Sequence, residues 1–287
     1  MTKRFENEPV LSRRSLLSAA GALSLLPFLG NSARAQTLIS IKQAGVLKAG
    51  CQVAQVPWGF TDASGQLTGF DIELVRRLAT ELGVKVEFTP VTPANRTAAL
   101  LTGQVDVLAA VMGIFADRQK VVLFSRPYCN NDNIFIGKAD APVKGWSDMS
   151  GLRVGVPRGT PQDIAVTKAS PKGATIQRFD DDATTVQALI SGQVDMIGAA
   201  ATQLPNIAQV AGPGKFVEKF VLGRAFNAFA VRPDSREWAT FLSAFVAKEL
   251  DNGELKALYK KWIGEELAPL PDTGEGEAAL PIVVTPS

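Results

Sequence analysis

The sequence predicts an α/β protein of two similar lobes facing one another across a cleft, on three observations. First, Gly-Gln-Val-Asp is written twice, at 103–106 and 192–195, each copy closing a helix-like run and opening an apolar one. Second, the runs that follow, "VLAAVM" and "MIGAAA", are continuously apolar and built largely of small residues, as strands buried on both faces of a parallel sheet are. Third, strand-like and helix-like stretches alternate in the same order before each copy, the pattern of an α/β domain. Helix–Gly–strand joints look alike in many α/β proteins, so four shared residues alone do not indicate a repeat. The shared flanks do.

In the first lobe, "GVLKAGCQVAQ" from Gly45 reads as a strand and "DASGQLTG" as a turn rich in Asp, Ser and Gly. "FDIELVRRLATELG" reads as a helix, with Asp71 as its cap, Ile72, Val75, Ala79 and Leu82 on one apolar face, and Gly83 as its stop. "VKVEFTPV" alternates as a strand, "ANRTAALLTG" is a short helix ending at Gly103, and "VDVLAAVM" is a buried strand. The second lobe repeats the plan. "RVGVP" is a strand, "TPQDIAVTKAS" begins a helix, "ATIQRF" is a strand, "DDDATTVQALISG" is a helix, and "VDMIGAA" is the next strand. The aspartates that open that last helix sit where its dipole favours negative charge. Lobes of this kind gather their ligand groups at the carboxyl ends of the strands, which places a site in the cleft.

Composition excludes several chemistries. The chain of 287 residues has no histidine, which removes His-based triads, His-ligated zinc and imidazole acid–base work. Two cysteines, Cys51 and Cys129, are too few for a thiolate metal site, and no cofactor is expected. Whether the two pair is left open, because an exported compartment permits a disulfide and buried thiols are also common. "KAGC" at 48–51 is a poor lipoprotein signal, since no apolar helix leads into it.

Residues 1–35 read as an export signal: a charged start, a short apolar stretch from Leu16 to Leu29, and Ala33-Arg34-Ala35 as a small-residue cleavage site. Ser12-Arg13-Arg14-Ser15-Leu16-Leu17 matches the twin-arginine export pattern, and a general secretory signal is the alternative. Without these residues the chain has 25 basic and 26 acidic residues, a balance that argues against a nucleic-acid partner. No other apolar run approaches membrane-spanning length, so no direct membrane insertion is expected, and the chain is read as a monomer. Residues 265–287 hold five acidic residues, four prolines and no basic residue, and read as a solvated tail.

From Ile39 to Gly264 the sequence resembles the periplasmic solute-binding proteins of amino-acid ABC transporters, the extracellular solute-binding proteins of family 3. "PWGFTDASGQLTGFDIELVRRLATELGVKVEF", "LLTGQVDVLAAVMGIFADRQKVVLFSRPY", "GLRVGVPRGT" and "DNGELKALYKKWIG" carry the resemblance through their order and spacing. It implies a type II periplasmic-binding-protein fold, two α/β lobes joined by two crossing strands, with ligand closed between them. By that resemblance the chain crosses near Cys129–Asn133 and returns near Leu222–Asn227. Residues 36–130 plus 225–264 then form lobe 1 and 131–224 form lobe 2. The partners implied are a small carboxylate-bearing solute and an inner-membrane ABC permease.

The resemblance also nominates a site. Arg118, twelve residues past Asp106, matches the family's arginine that clamps a ligand carboxylate, a task suited to a guanidinium fork that stays charged. The commoner fate of an arginine is a surface ion pair, here with Asp117. Arg96, in "NR" 22 residues earlier, matches the arginine that faces a side-chain carboxylate in the family's acidic amino-acid binders, with a solvent-facing helix residue as the alternative. Several positions depart from the pattern. Val111, Gly113 and Phe115 stand where hydroxyl residues are usual, and Gly159-Thr160-Pro161 replaces a Gly-Thr-Thr or Gly-Thr-Ser turn, which removes a hydroxyl and a backbone donor. Gln55 replaces a ring that often stacks on the ligand, and Gln52 is also polar. Trp58 reads as core. Ala200 stands where the family's aspartate binds the ligand ammonium.

The expected function is therefore capture of an amino acid or organic acid for an ABC importer, through Arg118, Arg96, Gln55, Gln52, Gly113, Thr160 and Ala200, in a protein that is not an enzyme. With Ala200 in place of the aspartate, the expected ligand is an organic acid without an α-ammonium, a dicarboxylate for example. The alternatives are an enzyme on the same scaffold, resembling a cyclohexadienyl dehydratase, and a soluble sensor subunit. Enzymatic chemistry wants a positioned acid in the cleft, and the nearby carboxylates, Asp163 and Asp180–Asp182, fit helix caps better.

Overall fold

The computed structural model describes residues 38–169 and 171–275. The export signal expected over 1–35 and the tail beyond Glu275 lie outside the described residues. Helix α1 (Leu38–Ala44) leads into β1 (Val46–Cys51), followed by the short strands β2 (Ala54–Gln55), β3 (Gly59–Thr61) and β4 (Leu67–Thr68). Then come α2 (Phe70–Leu82), β5 (Lys85–Pro90), α3 (Arg96–Leu101), β6 (Val107–Leu108) and α4 (Ala116–Gln119). The 16-residue strand β7 (Leu123–Lys138) leads to β8 (Arg153–Pro157), α5 (Pro161–Ala169), β9 (Thr175–Phe179), α6 (Asp182–Ile190), β10 (Met196–Ala200) and α7 (Leu204–Ala211). A second 16-residue strand, β11 (Phe216–Val231), returns to α8 (Arg236–Asp251) and α9 (Glu254–Ile263).

Eight of the strands form one mixed sheet in the order β5-β1-β6-β11-β7-β10-β8-β9. The first three are parallel, and so are the last three, each trio with its earliest strand in the middle. Between them β7 and β11 run antiparallel to one another, pairing Val231 with Leu123 at one end and Phe216 with Lys138 at the other. The two long strands thus belong to both halves of the sheet, and the Asn131–Ala225 and Cys129–Asn227 pairs lie near their middle. Separate apolar clusters fill each half. Leu74, Leu78, Trp238 and Leu242 centre one, and Leu100, Leu108 and Met112 another on the same half. Ile134, Leu189 and Ile197 centre a third, and Phe135, Val154 and Val166 the fourth, in the other half.

The duplicated phrase does the same work in both halves. Gly103 and Gly192 each adopt φ 76°, a left-handed turn that glycine enters without a Cβ penalty. Val105 and Val194 are then buried behind the preceding helix. Asp106 N–H donates to Lys48 O at 2.7 Å while its Oδ2 accepts from Lys48 N–H at 2.9 Å. Asp195 repeats both bonds with Arg153, at 2.8 Å each. The aspartate therefore closes the gap to the neighbouring parallel strand with its side chain, just before the ladder begins.

Three expectations change in detail. Asp71 does not cap α2: Gly69 occupies the cap position, and Asp71, 1% exposed, turns inward to accept from Val111 N–H at 2.9 Å. The strand expected over "VDVLAAVM" pairs only through Val107–Leu108, because the chain turns at Val111. The first residues of the expected solvated tail pack on the protein instead. Asp272 pairs with Arg126 at 2.8 Å, Gly274 O accepts from Gln119, and Leu267 joins the core around α2. Cys51 and Cys129 are both free and buried. Among the described residues no helix is long and apolar enough to cross a membrane.

Candidate functional site

A narrow cavity lies between the halves of the sheet, where the carboxyl ends of β1, β6, β8 and β10 converge. Gln52, Gln55 and Arg96 line it from one lobe, Gln162, Asp182 and Ala200 from the other, and Asn131, Asn133 and Asn227 from the two crossing strands. The lobes are shut over it. Trp58 Nε1 donates to Thr202 Oγ1 at 3.0 Å and Gln203 Nε2 donates to the carbonyl of Val56 at 2.8 Å. A Cβ on Gly159 would stand 3.0 Å from Pro93 O and 3.1 Å from Ala94 Cα, so the lobes approach this closely only because residue 159 is glycine.

Arg96 opens α3 and is 2% exposed. Its Nη1 donates to the carbonyls of Ala110 and Val111. Val111 holds φ 51°, a strained conformation for a β-branched residue, and strain of this kind persists where the surroundings over-determine it. Here Asp71 Oδ2 takes the Val111 N–H, and the turn so fixed presents both carbonyls to the guanidinium. Burial brings the Arg96 pKa down to about 10, against the opposing pull of Asp182, Tyr128 and Asp71. Arg96 is therefore a buried cation at neutral pH. Its partners on the wall are neutral carbonyls, which leaves the local charge available to an anion.

Arg118 takes a different place. Its Nη1 donates to Gly113 O at 2.9 Å and its Nη2 donates to Gly159 O on the opposite lobe at 3.3 Å. The guanidinium carbon lies 5.1 Å from the centre of the Phe115 ring, within cation–π range. Phe115 lines the cavity and Arg118 does not. The ring in the place of a small hydroxyl residue covers the guanidinium, and two carbonyls take its donors. Burial and the like charge of Arg96 both lower the Arg118 pKa.

The remaining sequence-nominated residues all line the cavity, with their polar groups differently engaged. Thr160 Oγ1 donates to Pro157 O at 2.7 Å and accepts from Asp163 N–H at 3.2 Å, so its hydroxyl serves the start of α5. Gly113 bridges to Asn227, and a Cβ there would meet the Phe115 ring at 2.7 Å. Ala200 ends β10, paired with Asn133. Gln52 Nε2 donates to Gln55 Oε1 at 2.7 Å and to Ala110 O at 3.1 Å, and Gln55 Nε2 donates across the cleft to Asp182 Oδ1 at 3.2 Å. Trp58 is fully buried, edge-on to Phe70 with ring centres 5.4 Å apart, and is core.

Asp182 is a cavity residue that the sequence reading set aside with its neighbours as a helix cap. Of the Asp180–Asp182 run, Asp181 is the cap of α6, accepting from Thr184 N–H at 2.8 Å. Asp182, the next residue, is 5% exposed and lines the cavity. Burial pushes its pKa up to about 7 against the pull of Arg96. Asp163, by contrast, is engaged by Gly159 N–H and Arg178. The one available signal was arithmetic: three consecutive acidic residues stand where a helix start needs one. Among the described residues no group of three or more His, Cys, Asp or Glu side chains is placed to hold a metal ion.

The chain is similar to known proteins along nearly all of its described length. Residues 47–265 match the family model of the bacterial extracellular solute-binding proteins, family 3. The L-cystine-binding protein TcyJ of Escherichia coli K12 is 26% identical over 80% of this chain and 87% of its own. Among solved structures, the solute receptor for L-cysteine of Neisseria gonorrhoeae superposes with a TM-score of 0.74 at 28% identity, over 79% of this chain and 93% of that one. The ancestral amino acid-binding protein AncCDT-1, a precursor of cyclohexadienyl dehydratase, gives 0.73 at 31% identity, over 79% and 99%. Two α/β lobes joined by two crossing strands are the type II periplasmic-binding-protein fold. The chain belongs to the bacterial extracellular solute-binding proteins of family 3.

Proposed function

We propose that the chain is the periplasmic substrate-binding component of an ABC importer, capturing a small carboxylate-bearing solute between its lobes and delivering it to an inner-membrane permease. Residues 36–130 with 225–264 form one lobe and 131–224 the other, and the leader over 1–35 directs export. The observation that carries the reading is Arg96, a cation 2% exposed on the wall of a shut inter-lobe cavity, bonded there to neutral carbonyls. A buried cation of this kind is best compensated by a ligand carboxylate. Gln52, Gln55, Asn133 and Gln162 supply neutral hydrogen-bonding groups around it. Arg118 supports capture from outside the cavity, bridging Gly113 and Gly159 when the lobes are shut.

The relatives named above bind cystine, cysteine or other amino acids, solutes that carry the carboxylate this reading requires. One observation favours a second reading, an eliminating enzyme on the same scaffold: Asp182, titrating near 7 in the cleft, is the positioned acid such chemistry requires. Mass spectrometry of solute recovered after incubation separates the two, since a binding protein returns it unchanged. Capture itself is tested by calorimetry of the exported chain and Arg96→Gln with the standard amino acids and small organic acids. Loss of the buried carboxylate pair is expected to weaken binding by about 2–5 kcal/mol. Unchanged affinity in Arg96→Gln overturns the assignment.

A further inference from the structure

Phe115 occupies the cap position of α4, where Ser, Thr, Asp or Asn would bond the helix and its own side chain does not. Its ring is 6% exposed, lines the cavity and leans over Gly113. A Cβ on that glycine would stand 2.7 Å and 3.4 Å from two of the ring carbons. Gly113 is not among the glycines of positive φ, so its backbone does not call for glycine and the room it leaves is the ring's. Beyond the ring, off the cavity wall, lies Arg118, its guanidinium carbon 5.1 Å from the ring centre. The like charge of Arg96 acts on it, so two guanidinium groups flank one cleft while Arg96 alone stands on the wall. The carbonyls of Gly113 and Gly159 accept from Arg118 Nη1 and Nη2. A guanidinium has five N–H donors, so an uncovered Arg118 would retain donors for a carboxylate.

We propose that Phe115 determines how many carboxylates the cleft accepts: its ring screens Arg118 from the solute, so that Arg96 alone faces ligand and the preferred solute carries a single carboxylate. This rests on the capture function proposed above and adds the residue that sets its specificity. A second carboxylate in the shut cleft would meet the apolar ring and no guanidinium. An uncompensated buried charge is a strong means of rejecting a competitor. The dicarboxylate expected from the sequence is therefore disfavoured, although both arginines suited to it are present. Gly113 and Phe115 act as a pair in this, since the glycine gives the ring its place.

The test is calorimetric titration of the exported chain, Phe115→Thr and the double variant Phe115→Thr/Arg118→Gln. The probes are pairs that differ by one carboxylate: L-glutamate and L-glutamine, L-aspartate and L-asparagine, succinate and butyrate. Threonine suits a cap position, so the single variant removes the ring without removing a helix start. The native chain is expected to bind the member with fewer carboxylates more tightly. Phe115→Thr should move the affinity ratio of at least one pair toward the acid by about 10- to 150-fold, the range for a hydrogen bond to a charged group. Adding Arg118→Gln should return the ratio to its native value. Ratios that Phe115→Thr leaves unmoved overturn the screening role and leave capture by Arg96 standing. A shift that survives Arg118→Gln overturns it equally, because a larger cavity rather than an uncovered charge then accounts for it. If Phe115→Thr melts below the titration temperature, Phe115→Leu, which removes the ring but keeps an apolar side chain, carries the same expectation and the same refutation. A native chain that binds none of these probes, nor any other standard amino acid or small organic acid, overturns the capture reading itself.

Discussion

Asp182→Asn is expected to stabilise the protein in the absence of solute, increasingly so as pH rises. The carboxyl is 95% removed from solvent, its Oδ2 has no partner, and burial lifts its pKa from the ordinary 3.8 to about 7. An acid whose folded pKa is raised binds its proton more tightly folded than unfolded. Its contribution is therefore fully present below about pH 4 and is lost as pH climbs through 7. At about 1.4 kcal/mol for each tenfold difference in proton affinity, the loss is about 4 kcal/mol. Asparagine has no proton to lose and retains the bond from Gln55. In scanning calorimetry of the two proteins, Asp182→Asn should melt about 10 °C higher at pH 8, taking about 2–4 °C per kcal/mol for a chain of this size. The gap should close as pH falls toward 4. Asp71 titrates in the same sense in both proteins and cancels from the comparison. A variant that melts lower at pH 8, or a gap independent of pH, refutes the reasoning, because either means that the folded protein already compensates the ionised carboxylate.

Gly159→Ala forces a Cβ to 3.0 Å from Pro93 O at φ 77°, and should hold the lobes apart. Small-angle scattering at saturating solute should then lack the compaction of the native chain, with weakened affinity; native compaction and affinity would count against the shut interface described here. Arg118→Ala removes the bond that reaches Gly159 O across the cleft, and calorimetry should show binding weaker by about 1–3 kcal/mol, a smaller loss than Arg96→Gln gives. The reverse order would return Arg118 to the role of direct carboxylate anchor. Cys51 and Cys129 are fully buried, and burial raises both thiols well above their ordinary pKa. Native protein should leave a thiol reagent such as dithionitrobenzoate unreacted over minutes, and denatured protein should consume two equivalents; a single equivalent or none after denaturation would indicate a pairing absent from the fold.

Much of this protein is determined by local sequence. The duplicated Gly-Gln-Val-Asp specifies its joint from within, because a left-handed glycine turn, a buried valine and an aspartate that bonds the next strand are all short-range demands. The two-lobe plan followed from that joint, and Arg96, nominated by the family resemblance, sits at a helix start facing the cleft. Asp71 was misread for a physical reason. A helix-start aspartate is an equally good cap or buried acceptor, and only the arrival of Val111, forty residues on, decides between them. The surroundings of Arg118 and Asp182 depend on distant residues in the same way. The first is covered by Phe115 and reaches a carbonyl contributed by the other lobe, and the second faces the cavity because Asp181 already caps α6. Spacing along a chain sets which residues a strand or helix offers to a cleft. Whether an offered charge meets ligand, carbonyl or ring depends on groups brought from the opposite lobe by β7 and β11, and only the tertiary structure decides it.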